Sequence, residues 1–430
     1  MSFLKFLCSF SLCVFSSTLV FAQAVVLPKS ITFTGVPAYP QADLLAFTGL
    51  KPGANSTVAE VQAAAQKIND TGLFADVHFE SNAHGLVFAL KPMPAANVLA
   101  AHFTNFVWWS PQEIETTLKS RVPLYLGSIP TAGNMQDNVI AALKAMLLEK
   151  SVTANVVAMP SASHGTTPDS IAFTIESPEV RVHNLAFTAT SPAMQAKLDK
   201  VIKDVADQPF DQYTTPTSIT SKVSDVYRND GYLDIEIANL NHSAPQITPN
   251  AINVDLTATL HEGEQYRLSQ LTWSGSEIMS ASDFNKQAKL HSEDVASESA
   301  LKQSLQALAR AYYAKGFQDA KIQAPAAKDS VTRHVAYNIT VIPGEQYRLH
   351  SVKALGLTDQ QHKDFDSTWH MNAGDFYDVN YLTTFLLKNT AVQSLRGYSA
   401  TYKAFSDPNT HLVDLVITFA KGGTLVNVTN

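Results

Sequence analysis

The sequence contains few residues at spacings suited to metal binding or cofactor chemistry. Its thirteen histidines are scattered, and none forms a His-Glu-x-x-His motif or a Cys/His cluster, the spacings that bring zinc ligands together. His261 and Glu262 follow a predicted strand, where a solvated turn is expected. No Walker-type or Gly-x-Gly-x-x-Gly loop is present to bind phosphate. The sequence therefore predicts no metal site and no cofactor.

Residues for nucleophilic or acid–base catalysis are equally sparse. Ser163-His164-Gly165 lacks the flanking glycines of a Gly-x-Ser-x-Gly nucleophile elbow, so a polar loop is expected there. Asp364 and Asp366 lie beside Lys363 in a predicted helix, which is typical of a charged, solvated face. We predict no catalytic residues and a protein that is not an enzyme. An enzyme with a dispersed site is the weaker alternative.

The N-terminal segment has the layout of a secretory signal peptide. Lys5 supplies a positive charge, an apolar, serine-rich run extends from Phe6 to Ala22, and Ala22-Gln23-Ala24 is a small-residue cleavage pattern. An uncleaved membrane anchor is the alternative, since the run is close to the minimum length for a span. We expect residues 1–24 to be a signal peptide that is removed.

Composition limits what the rest of the chain can be. Both cysteines, Cys8 and Cys13, lie in the predicted signal peptide, so the mature chain has no disulfides and depends on apolar cores. At 45% hydrophobic and 16% charged residues it has the material for them. The net charge is −7, or −8 without Lys5, and Lys and Arg are not clustered, which argues against nucleic acid as a partner.

An internal repeat of about eighty residues organises the chain. The hexapeptide Gly-Glu-Gln-Tyr-Arg-Leu occurs at 263–268 and again at 344–349. A second landmark is a glycine, mostly followed by an aromatic residue or leucine, between a predicted helix and a predicted strand; it recurs at Gly72, Gly231, Gly316 and Gly397. The gap between the first two is twice the others, and Ser151 occupies the missing position.

These glycines have a predicted structural role. A glycine after an amphipathic helix supplies the left-handed conformation that ends it, and the next aromatic or leucine packs back on the last helical turn. Ser151 can do the same only with strain or with a different turn. We therefore expect the second repeat to be the most irregular.

The pattern between the landmarks predicts an α+β fold of five tandem β-α-α-β-β domains. The third is the clearest: Val180–Phe187 alternates as a strand, Ser191-Pro192 opens a helix, a second helix ends at Gly231, and two alternating strands follow. Each domain should be a three-stranded sheet covered by two helices. The predicted ranges, called repeats one to five below, are 25–94, 95–178, 179–262, 263–343 and 344–420, with a short tail at 421–430.

This array resembles POTRA (polypeptide-transport-associated) domains. The Gly-Glu-Gln-Tyr-Arg-Leu stretches are similar to the joint where one POTRA unit ends and the next begins, and five units are also found in the periplasmic arm of Bam-type outer-membrane barrel-assembly factors. In that family a membrane barrel follows the arm, whereas only Lys421–Asn430 follow the last predicted strand here. The resemblance therefore implies the role of the arm in the periplasm, possible peripheral association with the outer membrane, and as partners unfolded outer-membrane proteins, accessory factors and a separately encoded β-barrel.

The resemblance also implies a binding edge. In this family the second strand of a unit offers its free backbone groups to an extended peptide, which corresponds here to the predicted strand Leu233, Asp234, Ile235, Glu236 and Ile237. A free strand edge can accept such a peptide by β-augmentation. Outward carboxylates at 234 and 236 would discourage unselective stacking. The alternative is that these carboxylates merely solvate one face of the sheet.

Two functional hypotheses follow. The first is a periplasmic scaffold that binds unfolded outer-membrane proteins or assembly partners during outer-membrane protein assembly or secretion. The alternative is a membrane-tethered structural or division-type envelope protein whose N-terminal segment stays uncleaved as an anchor. Some division proteins resemble this arrangement, but with a single POTRA unit.

Overall fold

A computed structural model describes residues 24–26, 30–82, 85–162, 166–387, 395 and 397–421. The predicted signal peptide up to Gln23, the loop at 163–165 and the tail beyond Lys421 lie outside these residues. The chain divides into two compact units, one comprising 1–184, 206–215 and 242–256, and the other comprising 185–205, 216–241 and 257–430. The predicted repeats do not coincide with these units, and their boundaries stay a prediction.

Helices and strands recur in the predicted order along the described residues. In the first repeat they are β1 (Ala24–Val26), β2 (Ile31–Thr34), α1 (Gln41–Thr48), β3 (Asn55–Thr57), α2 (Val58–Asn69), β4 (Phe74–Asn82) and β5 (Gly85–Pro92). In the second they are the 3₁₀ turn Ala95–Asn97, β6 (Val98–Thr104), α3 (Pro111–Arg121), β7 (Ser128–Pro130), α4 (Met135–Glu149), β8 (Asn155–Ser161) and β9 (Ser170–Ser177).

The remaining elements follow the same sequence. The third repeat has β10 (Glu179–Thr188), α5 (Pro192–Val205), α6 (Thr214–Asn229), β11 (Glu236–His242), β12 (Gln246–Ile247) and β13 (Ala251–His261). The fourth has β14 (Arg267–Thr272), α7 (Ala281–Gln287), α8 (Glu298–Tyr313), β15 (Lys321–Gln323), β16 (Ala326–Asp329), β17 (His334–Asn338) and β18 (Thr340–Ile342). The fifth has β19 (Arg348–Leu355), α9 (Asp359–Thr368), α10 (Val379–Leu387), β20 (Tyr398–Asp407) and β21 (Leu412–Lys421).

The five main sheets share one topology, in which the strand that corresponds to the predicted last strand of the repeat (β5, β9, β13, β17 or β21) lies between two others. The orders are β2-β5-β4, β7-β6-β9-β8, β10-β13-β11, β14-β17-β16 and β19-β21-β20. In the fifth repeat β19 pairs with β21 in parallel and β20 pairs with β21 antiparallel. The strand that corresponds to the predicted second strand (β4, β8, β11, β16 or β20) is therefore left at an edge of its sheet. The α+β class is confirmed.

One face of each sheet is buried because its strands alternate with a period of two. In β21 the inward residues Val413, Leu415, Ile417 and Phe419 are buried, and they pack with helix residues such as Phe365 and Leu382. The same pattern holds in β13, where Ile252, Val254 and Leu256 are buried. The helices thus cover one face and leave the other to solvent.

The expected three-stranded sheet is present in the first, fourth and fifth repeats, whereas the sheets of the second and third repeats have a fourth strand. In the second, β7 pairs antiparallel with β6 and adds a fourth strand. In the third, the two-residue β12 pairs with β13. In the fourth, the second strand is split into β15 and β16 by Ala324-Pro325, and β15 pairs with β18 in a separate two-stranded sheet. Proline lacks the N–H that a continuous ladder requires.

The predicted helix caps are confirmed. Gly231 and Gly316 have φ of 83° and 82°. The next amide closes the helix: Tyr232 N–H donates to Tyr227 O over 3.0 Å, and Phe317 N–H donates to Tyr312 O over 3.2 Å. The two rings of each pair then meet edge to face at 5.7 and 5.9 Å between centroids. This is the aromatic contact expected of such a cap.

Ser151 adopts the same geometry without being glycine. Its φ is 62°, and Val152 N–H donates to Leu147 O over 3.0 Å as at the glycine caps. A residue with a Cβ pays about 1–2 kcal/mol in this conformation. The second repeat therefore uses the common cap at a conformational cost.

The strain at Ser151 should be relieved by glycine. Ser151→Gly should raise the free energy of unfolding by about 1 kcal/mol, because glycine relieves the strain but adds backbone entropy to the unfolded chain. Urea denaturation followed by circular dichroism measures the change. Ser151→Ala is the control and should give no such gain; an equal gain from both variants would refute the strain argument.

Candidate functional site

The structure moves the start of the predicted binding strand. Only Glu236 and Ile237 lie in β11, while Leu233, Asp234 and Ile235 form the turn that leads into it. Leu233 packs against the core of the fourth repeat around Tyr266 and Leu268. The prediction of a strand over 233–237 is thus wrong in its first three residues, because those residues are held by the next repeat.

Asp234 is engaged in an ion pair and is not an outward charge on a free strand edge. Its carboxylate pairs with Lys328 of β16 and accepts a hydrogen bond of 3.0 Å from the Tyr266 hydroxyl. The Lys328 hydrogen bond, assisted by that of Tyr266, holds the pKa of Asp234 below its usual value. Burial, with the Asp234 hydrogen bond second, raises the pKa of Tyr266. This side chain therefore fastens the third repeat to the fourth.

The remaining edge in the third repeat is short. β11 occupies an edge of its sheet, with Glu236 exposed and Ile237 half-buried. Asn239, in the middle of the strand, has a φ of 53°. A residue in the left-handed region interrupts the extended backbone, as bulges do on protected edges. A regular added strand could use only residues 236–238.

A longer edge lies in the fifth repeat, where the sequence did not lead us to look. β20 pairs with β21 over ten consecutive residue pairs without a shift in register, and it is the outer strand of its sheet. Its residues from Lys403 to Asp407 are all exposed, and Phe405 keeps 57% of its surface in solvent. An exposed, regular edge with an exposed aromatic residue is suited to strand addition.

A groove adjoins this edge. Its volume is about 800 Å³. It is lined by one end of α8 and the following turn, by α10, and by β20, with Tyr313, Asp319, Tyr377, Thr383, Tyr402 and Ser406 among the lining residues. Gln318 donates a hydrogen bond of 3.0 Å to the Ser406 hydroxyl at its border. Burial raises the pKa of Tyr402 and of Tyr377, so both phenols are neutral at physiological pH.

The joints between repeats are built alike. At the 4–5 joint (residues 344–349), Arg348 donates to the carbonyl of Gly374 over 2.7 Å. At the 3–4 joint (residues 263–268), Arg267 donates to the carbonyl of Glu293 over 2.6 Å. At the 2–3 joint (residues 179–182), Arg181 donates to the carbonyl of Asp207 over 2.8 Å. All three acceptor residues have a positive φ.

Backbone pairing accompanies the arginine at the 3–4 and 4–5 joints. Tyr347 N–H donates to Gly316 O, as Tyr266 N–H does to Gly231 O, both over 2.9 Å. The cap glycine of one repeat thereby also supplies an acceptor to the next. The glutamine of each hexapeptide also contacts the preceding repeat, because Gln265 and Gln346 donate to the carbonyls of Asp230 and Lys315. The joint is a specific structure, and the hexapeptide encodes it.

Among the described residues, no group of three or more His, Cys, Asp or Glu side chains is arranged to hold a metal ion. The helices in the same part of the chain are all too short or too polar to span a membrane. The candidate sites for binding an extended peptide are the edges β11 and β20, and the groove beside β20.

Comparison with known proteins finds a family match over one predicted repeat, the fourth. Residues 266–344 match the POTRA family, described as surface antigen variable number repeat. A putative outer membrane protein assembly factor from Treponema pallidum is 25% identical over 162 residues, which is 37% of this chain and 19% of that protein. This chain therefore matches less than a fifth of the length of that relative.

The solved structures that are similar to this chain include POTRA domains and Omp85. Haemophilus influenzae BamA POTRA3–5 is 15% identical and covers 56% of this chain and 96% of that structure, with a TM-score of 0.44. The N-terminal domain of Omp85 from Thermosynechococcus elongatus is 14% identical and covers 55% and 97%, with a TM-score of 0.21. The family match over residues 266–344 confirms the POTRA resemblance that the hexapeptides suggested, and the matched segment begins at Tyr266 inside the first hexapeptide.

Proposed function

We propose that this protein is a non-enzymatic periplasmic POTRA scaffold that binds extended segments of unfolded outer-membrane proteins by β-augmentation. Its partners would include accessory factors of outer-membrane protein assembly or secretion, with peripheral association at the outer membrane. The POTRA match over 266–344 and the similarity to a putative assembly factor support this role.

The observation that carries the proposal is the position of the second strand. In the fifth repeat β20 lies at the edge of a sheet whose other two strands pair with each other, so one side of its backbone is left without a strand partner among the described residues. An extended segment could add to it with regular hydrogen bonds. Ten residues of regular ladder correspond to a segment of about 30 Å, long enough to hold one strand of an unfolded client.

The edge of β11 is a second, shorter binding edge in this proposal. Glu236 and Ile237 would pair with a client over about three residues, and Asn239 would end the pairing. Such short edges bind weakly alone and add affinity when a client spans several of them. A long unfolded chain would suit an array of separate edges better than a folded partner would.

Site-specific photo-crosslinking tests this function. A photoreactive residue placed at Phe405 or at Ile237 of the full chain should crosslink to a urea-unfolded outer-membrane protein diluted into buffer, with the stronger yield at 405. The matched control is position 355, because Leu355 is also exposed but lies in β19, at the other edge of the same sheet. Equal crosslinking at 405 and 355, or crosslinking to a folded soluble protein, would refute selective strand addition at β20.

A further inference from the structure

The groove beside β20 can be compared directly with its counterpart at the preceding joint. Asp234 and Asp319 are each the third residue after a cap glycine, Gly231 and Gly316. Each lies against the glycine of the next hexapeptide: a Cβ built on Gly263 would lie 3.3 Å from Asp234 Cβ, and one built on Gly344 would lie 3.3 Å from Asp319 Cβ. The two aspartates therefore occupy the same place in successive joints.

Strand register gives the residues that face them. Lys328 pairs with Val335, which pairs in parallel with Leu268 of the first hexapeptide. Ser406 pairs with Val413, which pairs in parallel with Leu349 of the second. Lys328 and Ser406 are thus structurally equivalent. Their contacts agree, because Lys328 reaches Asp234 and Ser406 accepts a hydrogen bond from Gln318, the neighbour of Asp319.

At the 3–4 joint, carboxylates are paired with cationic side chains of the same chain. Lys328 pairs with Asp234, and its ammonium lies 6.0 Å from the centre of the Tyr266 ring. A second pair, Arg228 with Glu298, spans the same joint at 3.8 Å. Asp234 and Glu298 thus each have a cationic partner from within the chain.

Among the described residues of the 4–5 joint, the carboxylate is kept and neither cation has an equivalent. Tyr313 stands at the position of Arg228, Val379 at that of Glu298, and Ser406 at that of Lys328. Within the described part of the chain, the Asp319 carboxylate has no ion-pair or hydrogen-bond partner, although it lines the groove of about 800 Å³. Lys403 also lines the groove, but it alternates with Tyr402 and Ser406 along β20 and makes no ion pair with Asp319. The groove, which we call the slot, therefore contains the carboxylate of the preceding joint without a cationic partner among the described residues.

We propose that this slot binds a lysine or arginine side chain of the extended segment that adds to β20, with Asp319 as its counter-ion. This inference rests on the proposed strand addition and specifies the client chemistry that the edge selects. A strand added beside β20 would lie about 4.8 Å from it, with side chains on the same face as their β20 neighbours. A basic side chain opposite Ser406 would therefore extend into the space that Lys328 fills in the preceding joint. Tyr313, Tyr377 and Tyr402 supply aromatic surface that also attracts cations.

Peptide binding to the full chain tests the slot. Two fluorescein-labelled ten-residue peptides of alternating threonine and valine are compared, one with a central lysine and one with norleucine there. Fluorescence anisotropy should show that the lysine peptide binds about three- to tenfold more tightly, as expected for a partly screened ion pair with aromatic neighbours. Asp319→Asn should remove this preference and leave norleucine-peptide affinity unchanged.

Two further variants separate the slot from general charge effects. Ser406→Lys should fill the slot from within the chain and abolish the lysine preference even if Asp319→Asn fails to fold. Asp234→Asn removes the same charge at the filled 3–4 joint and should leave the preference intact. Equal affinity of the two peptides for the unsubstituted protein would overturn the cation slot while leaving strand addition standing. Absence of binding by either peptide would overturn strand addition at β20 and the slot together.

Discussion

Gly316→Ala is expected to lower the free energy of unfolding by about 2–3 kcal/mol. The φ of 82° alone costs a residue with a Cβ about 1–2 kcal/mol. The added Cβ would also overlap the carbonyl oxygen of Tyr347. Relief of that overlap displaces the 2.9 Å hydrogen bond from Tyr347 N–H to Gly316 O, worth about 1 kcal/mol. The substitution should thus weaken both the helix cap and the 4–5 joint.

Gly397→Ala is the matched control for this loss. Its φ is 83°, but a Cβ there would meet no described atom within 4 Å. We expect only the conformational cost of about 1–2 kcal/mol. Urea denaturation of both variants, followed by circular dichroism, measures the difference, and equal losses would show that the joint contact contributes nothing.

Proline substitutions on β20 should separate its two sides. Successive residues of an antiparallel edge strand point their N–H groups alternately into the ladder and away from it. Of Lys403→Pro and Ala404→Pro, one therefore removes a bond to β21 and lowers stability. The other leaves the fold intact and removes an N–H that an added strand requires.

The outward-facing proline should weaken binding of an extended peptide at least about tenfold, because one hydrogen bond is lost and the ring obstructs the partner strand. Circular dichroism identifies which variant keeps its stability, and anisotropy with the lysine peptide measures binding. If the variant that keeps its stability also binds the peptide as well as the unsubstituted chain does, strand addition at β20 is wrong.

Local signals in the sequence predicted much of the fold. The cap glycines have the left-handed conformation that the helix-to-strand transition requires, and α6 ends at Asn229, two residues before the predicted end at Gly231. The strain at Ser151 was also foreseen from the missing glycine. These features depend on residues within one or two turns of each other, so periodicity and turn chemistry suffice to locate them.

Features set by distant residues could not be predicted in this way. The turn before β11 is held by Lys328, which is 94 residues away in sequence. The alternation of apolar and polar residues in this turn would by itself predict a strand. β14 begins at Arg267, inside the hexapeptide, because this segment pairs with both the preceding turn and the following strand β17. The slot beside β20 arises because Ser406 stands where the preceding repeat has Lys328. This equivalence can be recognised only once the strand pairing is known.

The arginine of each joint has a consequence for how such arrays can change during evolution. Its guanidinium binds a backbone carbonyl, and the residue that supplies that carbonyl is aspartate, glutamate or glycine at the three joints. Every residue has a carbonyl, so mutations in that loop leave the acceptor in place. A repeat could therefore be duplicated, exchanged or inserted with its own loop sequence, provided that the arginine is kept. The hexapeptide would act as a portable connector, and surface residues such as Lys328 and Ser406 would be free to diverge.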